Sequence, residues 1–273
     1  MNKKFVDVER IIASKNERLL KRLPNFVIAY LKRILHQDEI NQIIEENKNL
    51  QDEAFCSEIA DRFKLKLEPV GVENIPMDKG AIFVVNHPLG GMDAMALVTV
   101  LSKYRTDIKF IVNDILLTLE NMKGLFVGVD KHGNNVKQSL QAVDALFASE
   151  KAVFIFPAGL VSRKVDGEIV DLDWKKTFVT QSKKYKKRVV PVHLDGSLSN
   201  FFYRLARFRR ALGIKVNIEM LYLVNELFKQ KNKTIRITFG KAIESQTFDS
   251  YQTDKQWAEW VKQEVYKLKP SNG

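Results

Sequence analysis

Apolar positions along the chain follow two different patterns. From residue 5 to 63 they recur every three or four positions, in "FVDVERIIASKNERLLKRL", "PNFVIAYLKRIL", "DEINQIIEENKNL" and "DEAFCSEIADRF". That spacing places them on one face of successive helices, and Pro24 stands where a first helical turn accepts proline. Further on, the pattern shortens to the runs "AIFVVN", "IKFIV", "LFVGV", "AVFIF", "RVVPVHL" and "TIRITFG". Each is of strand length, and most are separated by segments long enough for helices. A final helix is predicted within "YQTDKQWAEWVKQEVYKL", where Trp257, Trp260, Val261, Val265 and Leu268 share a face suited to core packing. Together these elements predict an α/β fold over residues 65–273, a mixed and mainly parallel sheet flanked by helices. An N-terminal helical appendage covers 1–64.

Composition narrows what such a fold can be. A chain of 273 residues with 45% hydrophobic content can bury a substantial core. Its single cysteine, Cys56, excludes an intramolecular disulfide framework and a multi-cysteine metal cluster, and it lies at helical spacing as a core residue would. A reducing cytoplasm is the compartment this usage fits. The lysines at the N-terminus are followed by interrupted apolar clusters, so a signal peptide is not expected. No stretch reaches the roughly 18 apolar residues of a spanning helix. The formal charge of +11 implies an acidic partner: nucleic acid, an anionic membrane surface, or a phosphorylated or carrier-bound substrate.

Two basic segments carry much of that charge. "KKYKKR" at 183–188 reads as the solvated end of a helix. In "FFYRLARFRRALG" the residues Phe201, Leu205, Phe208 and Leu212 form one stripe at the helical period, flanked by Arg204 and Arg209. Two readings are open: a helix lying on a lipid headgroup layer with its arginines reaching outward, or an ordinary amphipathic helix packed on the sheet. The aromatic spacing suits a membrane better than a base-stacking platform, so nucleic acid is not the expected partner.

Candidate chemistry is sparse. The four histidines, His36, His87, His132 and His193, have no metal-ligand spacing, and no metal site is expected. His36 reads as a surface residue inside a helix, and His193 as a structural residue at a strand end. No G-x-S-x-G elbow, Walker loop or G-x-G-x-x-G is present. In "NHPLGGMDAMALVTVL" the strand before Asn86 delivers His87 to the C-terminal edge of a sheet, where open α/β sheets bind ligands. Pro88, Gly90 and Gly91 then turn the chain, and Asp93 opens a helix. Either the pair is a turn residue and a helix cap, or a general base oriented by a carboxylate.

This stretch resembles the first block of the lysophospholipid (glycerolipid) acyltransferases, typified by 1-acylglycerol-3-phosphate acyltransferase: Asn-His, a short spacer and Asp. Five residues separate His87 from Asp93, where the commonest form has four. "GLFVGVDKHG" is similar to the second block, with Asp130 and Lys131 in place of Asp-Arg, and "FPAGLVSRK" to the third, with Ala158 in place of Glu. "VVPVHLDG" and "ITFGKAI" follow in the family's order. The longer spacer and the FPAG form are similar to the hemolysin-like and amino-acid-lipid acyltransferase branch.

The resemblance implies an O-acyltransferase that moves a fatty acyl group from an acyl thioester to the hydroxyl of a lyso-lipid. The acceptor is a lysophospholipid or an amino-acid lyso-lipid, and the co-substrate is an acyl carrier protein or coenzyme A thioester with no resident cofactor. His87 is the implied general base and Asp93 its orienting carboxylate, with Asn86, Gly90, Gly91, Lys131, Ala158, Gly159 and Arg163 as substrate contacts. The residues Phe201, Arg204, Leu205, Phe208, Arg209 and Leu212 are the expected membrane contacts, on the inner face of the cytoplasmic membrane. A non-catalytic lipid-binding protein on the same fold is the alternative, motivated by Ala158 and the spacer.

Overall fold

The computed structural model describes residues 4–77, 79–113, 117–129 and 136–270. They divide into two compact units, Met1–Leu50 with Ser199–Lys229, and Gln51–Leu198 with Gln230–Gly273. This division differs from the single boundary expected at residue 64. Helix α4 (Asp52–Arg62) packs against a helix of the sheet unit through a buried face that includes Phe55, Cys56 and Ile59. Segment 199–229 instead joins the N-terminal helices α1 (Val8–Arg22), α2 (Asn25–Ile34) and α3 (Gln37–Glu46). Burial pushes the Cys56 thiol up to about 12, as expected of a core cysteine rather than a nucleophile.

The larger unit is built on a seven-stranded sheet. In chain order its strands are β1 (Lys66–Val70), β2 (Ala81–Val85), β3 (Ile108–Asn113), β4 (Phe126–Val129), β5 (Ala152–Ile155), β8 (Arg188–Leu194) and β9 (Thr234–Phe239). The hairpin β6 (Arg163–Val165) and β7 (Glu168–Val170) stands apart from it. The spatial order is β1-β9-β8-β2-β5-β3-β4, parallel throughout except where β8 meets β9. The sheet is therefore mixed and mainly parallel, as expected. All six apolar runs are strands. Missing from the sequence reading are β1, half exposed and carrying Pro69 on an edge where proline is tolerated, and the three-residue hairpin strands.

The helices α5 (Gly91–Leu101), α6 (Val136–Ala148), α7 (Thr177–Tyr185) and α10 (Asp254–Lys267) also belong to this unit, while α8 (Asn200–Ala211) and α9 (Leu223–Phe228) belong to the smaller one. Thr253 and Gln256 form a reciprocal capping box at the start of α10. Trp257, Val261 and Val265 of α10 are buried in the core with Val84, Val153 and Phe178. Register also sets an aromatic ladder across the sheet: Phe83 of β2 opposes Phe154 of β5, which opposes Phe110 of β3. Their ring centroids lie 4.3 and 5.0 Å apart, and all three are fully buried, worth roughly 1.5 to 3 kcal/mol each.

Candidate active site

That ladder reaches the site. Residues 83, 85 and 87 alternate onto one face of β2 and its extension, and 154 and 156 do so on β5. His87 and Phe156 are consequently the next pair beyond Phe83 and Phe154, and their rings stack at 4.3 Å. Phe156 also lies 6.2 Å from Phe110. Asn86 points the other way. Its amide donates to the Leu194 carbonyl at 2.8 Å and accepts from the Leu194 N–H at 2.7 Å, tying the end of β2 to β8. It is buried, and this pairing fixes the residue that precedes His87.

After His87 the chain turns through Gly90, whose φ of +70° is costly for any side-chain-bearing residue. Gly91 then opens α5 and Asp93 lies in its first turn, and across this five-residue spacer the carboxylate still reaches His87. Asp93 is 0% exposed. Its carboxylate accepts from His87 Nδ1 at 2.8 Å and from the Leu89 N–H at 3.0 and 3.2 Å. Burial raises the Asp93 carboxyl above the usual range, opposed by the His87 hydrogen bond and charge and by the Leu89 N–H.

His87 is restrained from every side but one. Its N–H donates to Asp171 Oδ1 at 3.1 Å and its C=O accepts from the Ser162 N–H at 2.8 Å. Among the described residues its Nε2 makes no hydrogen bond, and 19% of the side chain is exposed. An imidazole held at Nδ1 by a carboxylate, with Nε2 open, is arranged to accept a proton from a bound hydroxyl.

The other expected contacts are placed differently. Ala158 is buried in the apolar core with Trp174 and Phe178; a glutamate there would bury a carboxylate, so the position is a packing one. Gly159, with φ of +67°, closes a turn in which its N–H donates to the Phe156 carbonyl at 2.9 Å. Arg163 is buried, its guanidinium donating to the Val161 carbonyl at 2.6 Å. Lys131, with Asp130 and His132, lies outside the described residues. A cation the sequence reading overlooked does reach the third block. The ammonium of exposed Lys175 stands over the turn, 3.0 Å from where a β-carbon at Gly159 would be.

In the smaller unit, Phe201, Phe208 and Leu212 are 49%, 60% and 58% exposed and Arg204 is also exposed, whereas Leu205 is half-buried. Arg209 departs from its expected role at headgroups. It is buried, paired with the buried Glu219 at 2.8 Å and bonded to the Ile214 carbonyl. The exposed arginines beside the stripe include Arg207 and Arg210. In "KKYKKR" the exposed Lys183 and Lys184 and the buried Lys187 pair with Asp254, Asp144 and Glu150. His36 lies between α2 and α3 in the left-handed region, not inside a helix, with its ring stacked on Phe228 at 4.0 Å. Among the described residues no helix is long and apolar enough to cross a membrane.

Comparison with known proteins adds a sequence and a fold likeness. Residues 10–273 match the family described as Acyltransferase. The chain is 46% identical over 265 residues to a lyso-glycine lipid O-acyltransferase of Bacteroides thetaiotaomicron, covering 97% of each chain. It is 44% identical over 265 residues to a protein of the same name from Phocaeicola vulgatus, covering 97% of this chain and 95% of that one. The crystal structure of the 1-acyl-sn-glycerophosphate (LPA) acyltransferase PlsC from Thermotoga maritima is similar in fold. It has a TM-score of 0.51 and 18% identity, and the match covers 91% of this chain and 94% of that one.

Proposed function

Because the chain belongs to the acyltransferase family and is an enzyme that transfers acyl groups, we propose that it acylates the hydroxyl of a lyso-lipid from an acyl thioester at a membrane surface, with His87 as general base. The observation that carries this reading is the 2.8 Å contact between His87 Nδ1 and the buried Asp93 carboxylate, with Nε2 left open. The acceptor hydroxyl gives its proton to Nε2 as its oxygen attacks the thioester carbonyl. The carbon–sulfur bond then breaks, and the imidazolium returns the proton to the leaving thiolate. Asp93 stays an acceptor throughout, holding the tautomer and offsetting the imidazolium charge. The amides of Gly90 and Gly91, where α5 begins, are the proposed donors to the oxyanion.

For the acceptor, the names of the two relatives favour a lyso-glycine lipid. A glycine joined through its amine presents a carboxylate, which Lys175 beside Gly159 is proposed to meet. The donor is an acyl carrier protein or coenzyme A thioester, either of which is acidic and suits a chain of charge +11. The exposed stripe on α8 is the proposed lipid contact. Offering purified protein a panel of lyso-glycine lipid, lysophosphatidate and lysophosphatidylethanolamine with both thioesters, and reading products by mass, tests this function. The expected outcome is a diacyl glycine lipid in preference to phosphatidate; transfer confined to lysophosphatidate would contradict the acceptor, and no transfer to any lyso-lipid the function.

A further inference from the structure

Asp171 is a buried carboxylate that neither sequence pattern nor family likeness singles out, and it holds the main chain of the base from 84 residues away. It follows directly on β7. Its Oδ1 accepts from the His87 N–H at 3.1 Å and from Ser162 Oγ at 2.6 Å, and its Oδ2 from Trp174 Nε1 at 2.9 Å. Backbone and indole N–H groups only donate, so both carboxylate oxygens are held as acceptors. The Asp171 N–H in turn donates to Tyr266 Oη on α10 at 2.7 Å. Ser162 completes the clamp, because its own N–H donates to the His87 carbonyl.

The charge is as informative as the contacts. Among the described residues neither Asp93 nor Asp171 forms an ion pair with lysine or arginine. Arg163, at the start of β6, turns onto the Val161 carbonyl. Tyr266 stays neutral, its hydroxyl pushed up by burial first and by Asp171 next. His193 of β8, 5.8 Å from the Tyr266 ring, is held neutral by burial, and Asp195 and Lys269 act on it with opposite sign. His87 is the basic residue that touches both buried carboxylates, Asp93 through its ring and Asp171 through its main chain.

We propose that Asp171 is a positioning residue of the acyl transfer: it fixes the His87 main chain and supplies a second negative charge that favours the imidazolium formed when the base takes its proton. The proposal rests on the reading of His87 as general base.

The test compares full-length wild type, Asp171→Asn, Ser162→Ala and His87→Ala, using lyso-glycine lipid with an acyl thioester. It records the pH dependence of kcat/KM. In Asp171→Asn the acidic limb of kcat/KM moves to lower pH, since the base loses a nearby negative charge. Its kcat falls by up to about tenfold with KM held, as the weaker base follows the Brønsted relation. Ser162→Ala keeps the charge, so its limb stays while kcat falls. A folded Asp171→Asn with an unmoved limb overturns the proposal, because a purely structural link would lower stability alone. Should Asp171→Asn not fold, an unchanged kcat in Ser162→Ala overturns it. Wild-type rates in His87→Ala refute the base itself, a result distinct from failure of Asp171 beside an inactive His87→Ala.

Discussion

At the scale of single residues, the site sets stability against chemistry. Asp93 is fully buried, and burial raises its carboxyl above the 3.8 of an exposed aspartate. Between 3.8 and that raised value the folded carboxyl keeps a proton the unfolded chain has lost, so stability falls as pH rises through the window. Above it the penalty is complete. Asp93→Asn removes the penalty while leaving an acceptor for the Leu89 N–H, so its Tm at pH 8 equals or exceeds that of wild type in thermal melts. Its acyl-transfer rate nevertheless falls by about 10² to 10⁴, as the imidazole loses its orienting charge. His87 and Asp93 are legible in the sequence because a strand, a turn and a helix start place them within six residues of each other. Asp171 is not legible, since only the return of the hairpin to the end of β2 brings it to His87.

Elements decide which charges face water. Apolar runs and helical periods identify the main elements, but they do not say which face of a helix meets a neighbour. On α8 that choice separates Arg209 from the other arginines. Arg209→Ala takes away the guanidinium that stands 2.8 Å from the fully buried Glu219 carboxylate, at a cost of about 3 to 5 kcal/mol that a denaturant titration reads as lost stability. Replacing Arg204, Arg207 and Arg210 together by alanine leaves that stability unchanged. In vesicle co-sedimentation it weakens binding to anionic lipid by about 1 kcal/mol per arginine. On β8, His193 is neutral because burial lowers its pKa from 6.5 to about 4. As pH falls from 6.5 to 4 the unfolded chain takes up a proton the folded one refuses, and roughly 3 kcal/mol is lost. His193→Leu therefore flattens the dependence of Tm on pH across that window, measured by circular dichroism.

The whole molecule combines a family fold with a charge of +11. Its class and strand content follow from local patterns, whereas its division does not. Helix α4 looks like its N-terminal neighbours in sequence, and only the packing of Phe55, Cys56 and Ile59 assigns it to the sheet unit. Segment 199–229 stands out for its basic helix, but no Gly/Ser-rich linker detaches it from the strands on either side. The central claim concerns neither division nor charge but one proton. His87→Ala and wild type, both verified as folded, are supplied with lyso-glycine lipid and an acyl thioester, and diacyl product is quantified by mass. The account predicts a loss of about 10² to 10⁴ in rate for the variant; equal rates of acylation by the two proteins would contradict it.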